Sequence, residues 1–185
     1  MKKLRIAFYG IGGVGKTALC NFIVENESSF HFYDGSTFIE ENVTGGIKAF
    51  KQFTNEEKYN QRVNTVKEFG RLQQKNGKHL LASGHFSIIN KDDFEVVWTH
   101  EDASFYTHIF YIELPSEVIH QQQRNDSTRH RPFTLDQIKV WAEFEKEGIK
   151  NACTNSSTKL HIINAFDLSG KYQQFKDVID KEALS

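Results

Sequence analysis

The densest chemistry in the chain lies in Gly10-Ile11-Gly12-Gly13-Val14-Gly15-Lys16-Thr17, which fits G-x-x-x-x-G-K-[ST] at every fixed position. Glycines permit backbone conformations and close approaches that a Cβ would block, so successive N–H groups can turn toward phosphate oxygens. The segment follows an apolar run and opens a helical pattern, whose first turn adds its positive dipole end. Gly12, Gly13, Val14, Gly15, Lys16, Thr17 and Ala18 therefore form the expected phosphate cradle. In it Lys16 supplies a mobile charge for the β- and γ-phosphates of a nucleoside triphosphate, ATP or GTP, and the Thr17 hydroxyl can coordinate Mg²⁺.

Three further places have residue types suited to the same chemistry. Asp34 follows the apolar run 30–33 and leads into Gly35-Ser36. In a parallel sheet ligands bind beyond the carboxyl ends of strands, so an aspartate there faces the glycine loop. His85, after Ser83-Gly84, occupies the same rim behind the run 78–82, and Thr44-Gly45-Gly46 offers Gly46 as a point of close approach. Finally, Arg124, Arg129 and Arg131 cluster on a polar segment before Pro132. Guanidiniums on such a segment suit a closing lid that neutralises phosphoryl charge and excludes water.

The elements that must position these groups alternate between short apolar runs and segments of helical period. Strands are predicted over 4–9, 30–33, 78–82, 109–114 and 159–164. Between them, Ala18, Leu19, Phe22 and Ile23 recur at helical spacing, and apolar positions every three or four residues predict a long helix over 56–73. Ser116 caps a short helix through 123. Thr134 with Gln137 forms a capping box for a helix carrying Ile138, Trp141 and Phe144 and expected to stop near Gly148. Ser169 precedes a last helix whose Tyr172, Phe175, Val178 and Ile179 share a face. Five strands separated by helices predict an α/β fold with a parallel sheet flanked by helices. Segment 86–107 is ambiguous, with 95–99 as one small extra strand.

The stretch IFYIELPSEVIHQQQRNDSTRHRPFT resembles the fourth strand and lid of shikimate, gluconate and adenylate-type kinases. This resemblance implies a P-loop NTPase of nucleoside-monophosphate-kinase-like topology, one domain over 1–185 with a mobile lid at about 121–137. It further implies that Asp34 orients the acceptor hydroxyl and takes its proton, that Asp34, Gly46 and His85 meet the acceptor, and that the three arginines close over the transferring group. The pattern departs from each subfamily. The DxD of shikimate kinases is reduced to Asp34 with Ser36, their GGG is Ser83-Gly84-His85, and the DGxPR of adenylate kinases is missing. No named acceptor is inherited. The chain also looks like uncharacterised P-loop domains of this size that carry the AAA name.

The expected activity is transfer of the γ-phosphate to a hydroxyl or phosphate of a small polar metabolite, a nucleoside or nucleotide leading. The alternatives are a polynucleotide 5′-hydroxyl kinase and a regulatory NTPase. A guanine-nucleotide switch is excluded by order, because Asp167-Leu168-Ser169-Gly170 (DxxG) follows Asn90-Lys91-Asp92-Asp93 (NKxD) instead of preceding it. Composition bounds the rest. The chain has 185 residues with 23 Lys plus Arg against 24 Asp plus Glu, which argues against a basic nucleic-acid coat. No apolar run approaches the roughly 20 residues that span a bilayer. Arg5 interrupts a signal-like start, and Cys20 and Cys153 form no CxxC, so a cytoplasmic protein without membrane contact, disulfide framework or zinc site is expected.

Overall fold

The computed structural model describes residues 3–90, 93–127 and 133–183. Its centre is a five-stranded parallel sheet made of β1 (Arg5–Tyr9), β2 (Phe30–Asp34), β3 (His79–Ser83), β6 (His108–Ile112) and β7 (Lys159–Ile163), in the order β2-β3-β1-β6-β7. Two further strands, β4 (Ser87–Asn90) and β5 (Asp93–Val96), pair antiparallel as a separate hairpin. The helices are α1 (Lys16–Asn26), α2 (Gly35–Asn42), α3 (Gly46–Phe50), α4 (Asn55–Asn76), α5 (His100–Phe105), α6 (Ser116–Asn125), α7 (Leu135–Thr154) and α8 (Leu168–Ala183).

The central strands β1, β3 and β6 are buried on both faces, which is why they read as apolar runs, while the edge strands β2 and β7 keep exposed positions such as His31 and Ile162. Along β1, Ile6 and Phe8 enter one core with Leu19 and Ile23 of α1 and Phe175 of α8. Ala7 and Tyr9 enter the other, with Val66 and Phe69 of α4 and Ile149 of α7. Stacking of Phe8 on Phe110 at 5.4 Å and packing on Phe175 at 5.7 Å fill the first core. Cys20 and Cys153 are both buried free thiols.

The central strand is also where the chain changes direction across the sheet. From β1 it passes over β3 to reach β2, returns to β3, and later continues on the other side through β6 and β7. The crevice beyond the carboxyl end of β1 is therefore the place where such a sheet holds a ligand. Among the described residues no helix is long and apolar enough to cross a membrane.

The predicted five-strand parallel sheet is present, and three local expectations change. The helix expected to stop near Gly148 runs on to Thr154. Gly148 is a packing site: a Cβ there would fall 2.1 Å from the Phe86 ring, so glycine lets Phe86 seat directly on α7. Ser116 is the first residue of α6 and Pro115 its cap, with no side-chain cap bond. The extra strand expected over 95–99 lies at Asp93–Val96 and pairs with Ser87–Asn90, so Asn90 and Asp93 are matched within a hairpin that is not part of the parallel sheet.

Candidate functional site

The glycine loop leaves β1 at Tyr9 and enters α1 at Lys16. Its backbone needs glycine where Gly13 and Gly15 take φ of 99° and 90°. At Gly13 space matters as well, since a Cβ would lie 2.8 Å from Cγ of Gln123. Lys16 is buried and folds back over the loop, donating to the carbonyls of Gly10 and Ile11. Thr17 and Ala18 are exposed at the mouth, while Val14 turns into the core.

A cavity of about 350 Å³ opens over this loop, lined by Gly12, Gly13, Lys16, Thr17, Asp34 and His85 among others. The structure thus brings Asp34 and His85 to the cradle, as the ends of β2 and β3 were expected to do. Asp34 is partly buried and fully engaged. Its Oδ1 accepts from the backbone N (2.8 Å) and hydroxyl (2.9 Å) of Thr37, capping α2. Its Oδ2 accepts from Ser83 Oγ at 3.0 Å. One carboxylate edge therefore serves the helix, and the other is fixed against β3 beside the cavity.

His85 stacks over Trp141 with centroids 6.3 Å apart, and its Nδ1 lies 3.9 Å from Oε1 of Glu145. Glu145 has no solvent exposure, and accepts from the backbone N–H groups of Phe86 and Ser87 at 3.2 Å and from Ser87 Oγ at 2.9 Å. Burial pushes its carboxyl above the usual value, and the charge of Lys16 and these hydrogen bonds pull it back. The Trp141 indole donates to Ser87 Oγ at 3.0 Å, which locks α7 to the strand rim.

Two more groups brace the loop from outside. Gln123 of α6 is buried and donates to the Gly12 carbonyl. Lys171 of α8 is buried and donates to the Val14 carbonyl at 2.9 Å, its pKa held down by desolvation. Both fall on the buried stripe of their helix, Gln123 four residues after Ile119 and Lys171 four before Phe175. Glu145 likewise falls on the stripe of Ile138, Trp141 and Ile149, where a carboxylate must find buried donors.

Two expected site residues, Gly46 and Arg124, are not among the residues that line this cavity. Gly46 sits under the Glu40 carboxylate, which accepts from Ile47 N at 2.8 Å; a Cβ on Gly46 would fall 2.6 Å from that carboxylate, so this glycine shapes the α2–α3 turn. Arg124 is exposed on the last turn of α6, next to Gln123, which touches the loop, and two positions before Asp126, which lines the cavity. Arg129 and Arg131 lie outside the described residues.

A magnesium ion fits the donor set. Mg²⁺ usually takes one or two protein oxygens and completes its shell with phosphate and water. Thr17 and Asp34 present such oxygens to one cavity, and no group of three or more His, Cys, Asp or Glu suited to an all-protein metal cage occurs among the described residues.

Comparison with known proteins agrees with this geometry. The shikimate kinase from Acinetobacter baumannii in complex with shikimate matches with a TM-score of 0.67 at 15% identity, over 100% of this chain and 97% of that one. A gluconokinase from Sinorhizobium meliloti 1021 matches with a TM-score of 0.59 at 10% identity, over 98% and 93%. The deoxyadenosine kinase from M. mycoides, with products dCMP and dCDP bound, matches with a TM-score of 0.56 at 12% identity, over 96% and 100%. These likenesses are of fold, and at that level the resemblance to small-molecule kinases holds. No curated protein matches the sequence. The family model described as AAA domain matches residues 9–141, from the end of β1 through the cradle and the strand rim into α7, so the chain belongs to the AAA domain family.

Proposed function

We propose that this protein is an ATP-dependent phosphotransferase that moves the γ-phosphate of a nucleoside triphosphate to a hydroxyl of a small polar metabolite. The observation that carries the reading is the shared cavity, where the glycine loop, Lys16 and Thr17 meet Asp34 and His85 from neighbouring strand ends. A nucleotide-binding loop needs only the first three. A fixed carboxylate across the cavity is what a hydroxyl acceptor requires.

In this reading the loop amides and Lys16 hold the β- and γ-phosphates. On nucleotide entry the Lys16 ammonium exchanges the Gly10 and Ile11 carbonyls for phosphate oxygens, so its present bonds hold it in place for that role. Thr17 is the residue that would hold Mg²⁺, which would supply charge neutralisation at the phosphate oxygens. The acceptor oxygen forms a bond to the γ-phosphorus as the bond from that phosphorus to the β–γ bridging oxygen breaks. The hydroxyl proton passes to Asp34, whose Oδ2 is kept in place by Ser83. The arginines of segment 121–137 would add charge over the transferring group, with α6 braced on the loop through Gln123.

The test is a screen of γ-labelled ATP and GTP with the intact protein against pooled metabolites and 5′-hydroxyl oligonucleotides. Label appearing in a small-molecule product supports the reading. Hydrolysis that no acceptor accelerates removes it in favour of a regulatory NTPase.

A further inference from the structure

Beside the phosphate cavity lies a second one of about 240 Å³, and the two share Ser36, Ser83, Gly84 and His85. Its walls are mostly apolar and partly flat, with Tyr9, Phe50 and Phe69 among them. Phe69 is held in orientation by Tyr33, stacked at 5.3 Å, and by Phe38, edge-on at 5.4 Å. Aromatic faces of this kind favour a flat ring, laid parallel or edge-on. A polyhydroxylated sugar or sugar acid would set those of its hydroxyls that miss Ser36, Thr65 and Ser83 against hydrocarbon, a costly exchange for water.

The charges of the cavity point the same way. Among its described lining residues the cationic side chains are Arg62 and, when protonated, His85. Arg62 is held at 2.8 Å by Glu95, reaching over from β5 of the hairpin, and lies over the Phe50 ring at 5.7 Å. His85 has the Glu145 carboxylate 3.9 Å away. The remaining charged group is Asp102, largely buried, which accepts from Tyr9 at 3.2 Å and from the Thr99 backbone N at 2.7 Å. An acceptor bearing a phosphate or carboxylate would meet a guanidinium already neutralised by Glu95 and would bring its charge beside that carboxylate.

We infer that this cavity takes an uncharged acceptor with a flat heterocyclic ring and a hydroxyl-bearing arm, a nucleoside in place of a nucleoside monophosphate, and that the Arg62–Glu95 pair enforces the choice. The inference rests on the phosphotransferase reading for the fate of the hydroxyl, which would point through the shared rim toward Asp34 and the cradle. The occupancy of the cavity stands apart from that reading. Arg62 retains guanidinium donors for a ring edge while Glu95 closes it to anions.

The experiment compares adenosine, cytidine, guanosine and thymidine with their 5′-monophosphates, using the whole protein. Initial rates of label transfer from γ-labelled ATP are measured beside calorimetric binding in the presence of ADP. At least one nucleoside is expected to bind and react with kcat/KM tenfold or more above its monophosphate. Glu95→Gln should narrow that ratio about tenfold, through the KM of the monophosphate, with the KM of ATP unchanged. The Arg62→Gln, Glu95→Gln double variant should not gain monophosphate binding, because the released cation is gone. A wild-type preference for monophosphates, an unchanged ratio in Glu95→Gln, or no binding of either class overturns the inference. Nucleoside-selective binding without label transfer sinks the phosphotransferase reading and leaves the cavity assignment standing. Transfer only to an anionic acceptor does the reverse.

Discussion

Ser83 Oγ donates a 3.0 Å hydrogen bond to Asp34 Oδ2, and the two residues are the last matched pair of the β2–β3 ladder. This pairing fixes a carboxylate at the cavity edge through a parallel-strand register, while the opposite carboxylate oxygen caps α2. Asp34 thus has a structural role and a proposed chemical one, and the two separate by substitution. Asp34→Asn keeps an oxygen for the Thr37 backbone N–H and loses the base. We expect little change in melting temperature and a fall in turnover on the order of a hundredfold or more. Asp34→Ala should add the loss of the cap, about 1 kcal/mol. Equal activity in wild type and Asp34→Asn, measured with saturating nucleotide, would assign this residue to the helix alone.

Gly13 couples the cradle to α6. Gly13→Ala forces a side chain into a backbone with φ of 99° and sets its Cβ 2.8 Å from Gln123 Cγ. The backbone term alone costs about 1–3 kcal/mol. Combining Gly13→Ala with Gln123→Ala removes the clash and leaves the backbone term. Denaturant melts of the single and double variants should therefore recover part of the lost stability, while nucleotide affinity stays low in both. Full recovery of both would show that side-chain crowding alone makes the glycine necessary.

The base of the P-loop helix is tied to α8 through Glu27, whose carboxylate meets Lys176 at 2.9 Å and the Tyr172 hydroxyl at 2.8 Å. These hydrogen bonds hold the Glu27 pKa below its usual value against a smaller desolvation effect. A depressed carboxylate contributes stability that is present above its unfolded pKa and is lost as pH falls through its folded pKa. Glu27→Gln should cost roughly 0.5–1 kcal/mol at pH 7, the range of a well-formed surface pair. The difference from wild type should shrink to nothing in acid, once both chains lack the charge. A difference that persists at low pH would trace to packing.

Much of this architecture is legible in the chain because the central strands are buried on both faces and the motif at 10–17 names its own surroundings. The walls of the second cavity are harder to read. The β4–β5 hairpin carries no strong turn signal in Asn90-Lys91-Asp92-Asp93, and it matters through Glu95, whose partner Arg62 lies on a distant helix. Gly148 reads as a helix stop because glycine favours helix ends, yet Phe86 needs the space it leaves. The capping box of Thr54 with Glu57 was in plain view and marks the true start of α4. Gln123 and Lys171 sit on the apolar stripes of their helices, but which loop carbonyls they reach is decided by tertiary placement.

The most direct measurement is label transfer from γ-labelled ATP to an added acceptor by wild type and Lys16→Ala, with nucleotide binding followed in parallel. Lys16 is buried over the loop carbonyls, and in the proposed reaction it would strengthen its phosphate contacts as charge moves. The account predicts acceptor-dependent transfer in wild type and a loss on the order of a hundred- to a thousandfold in kcat for the variant, at the scale of a removed transition-state donor. Undiminished transfer by Lys16→Ala would contradict it.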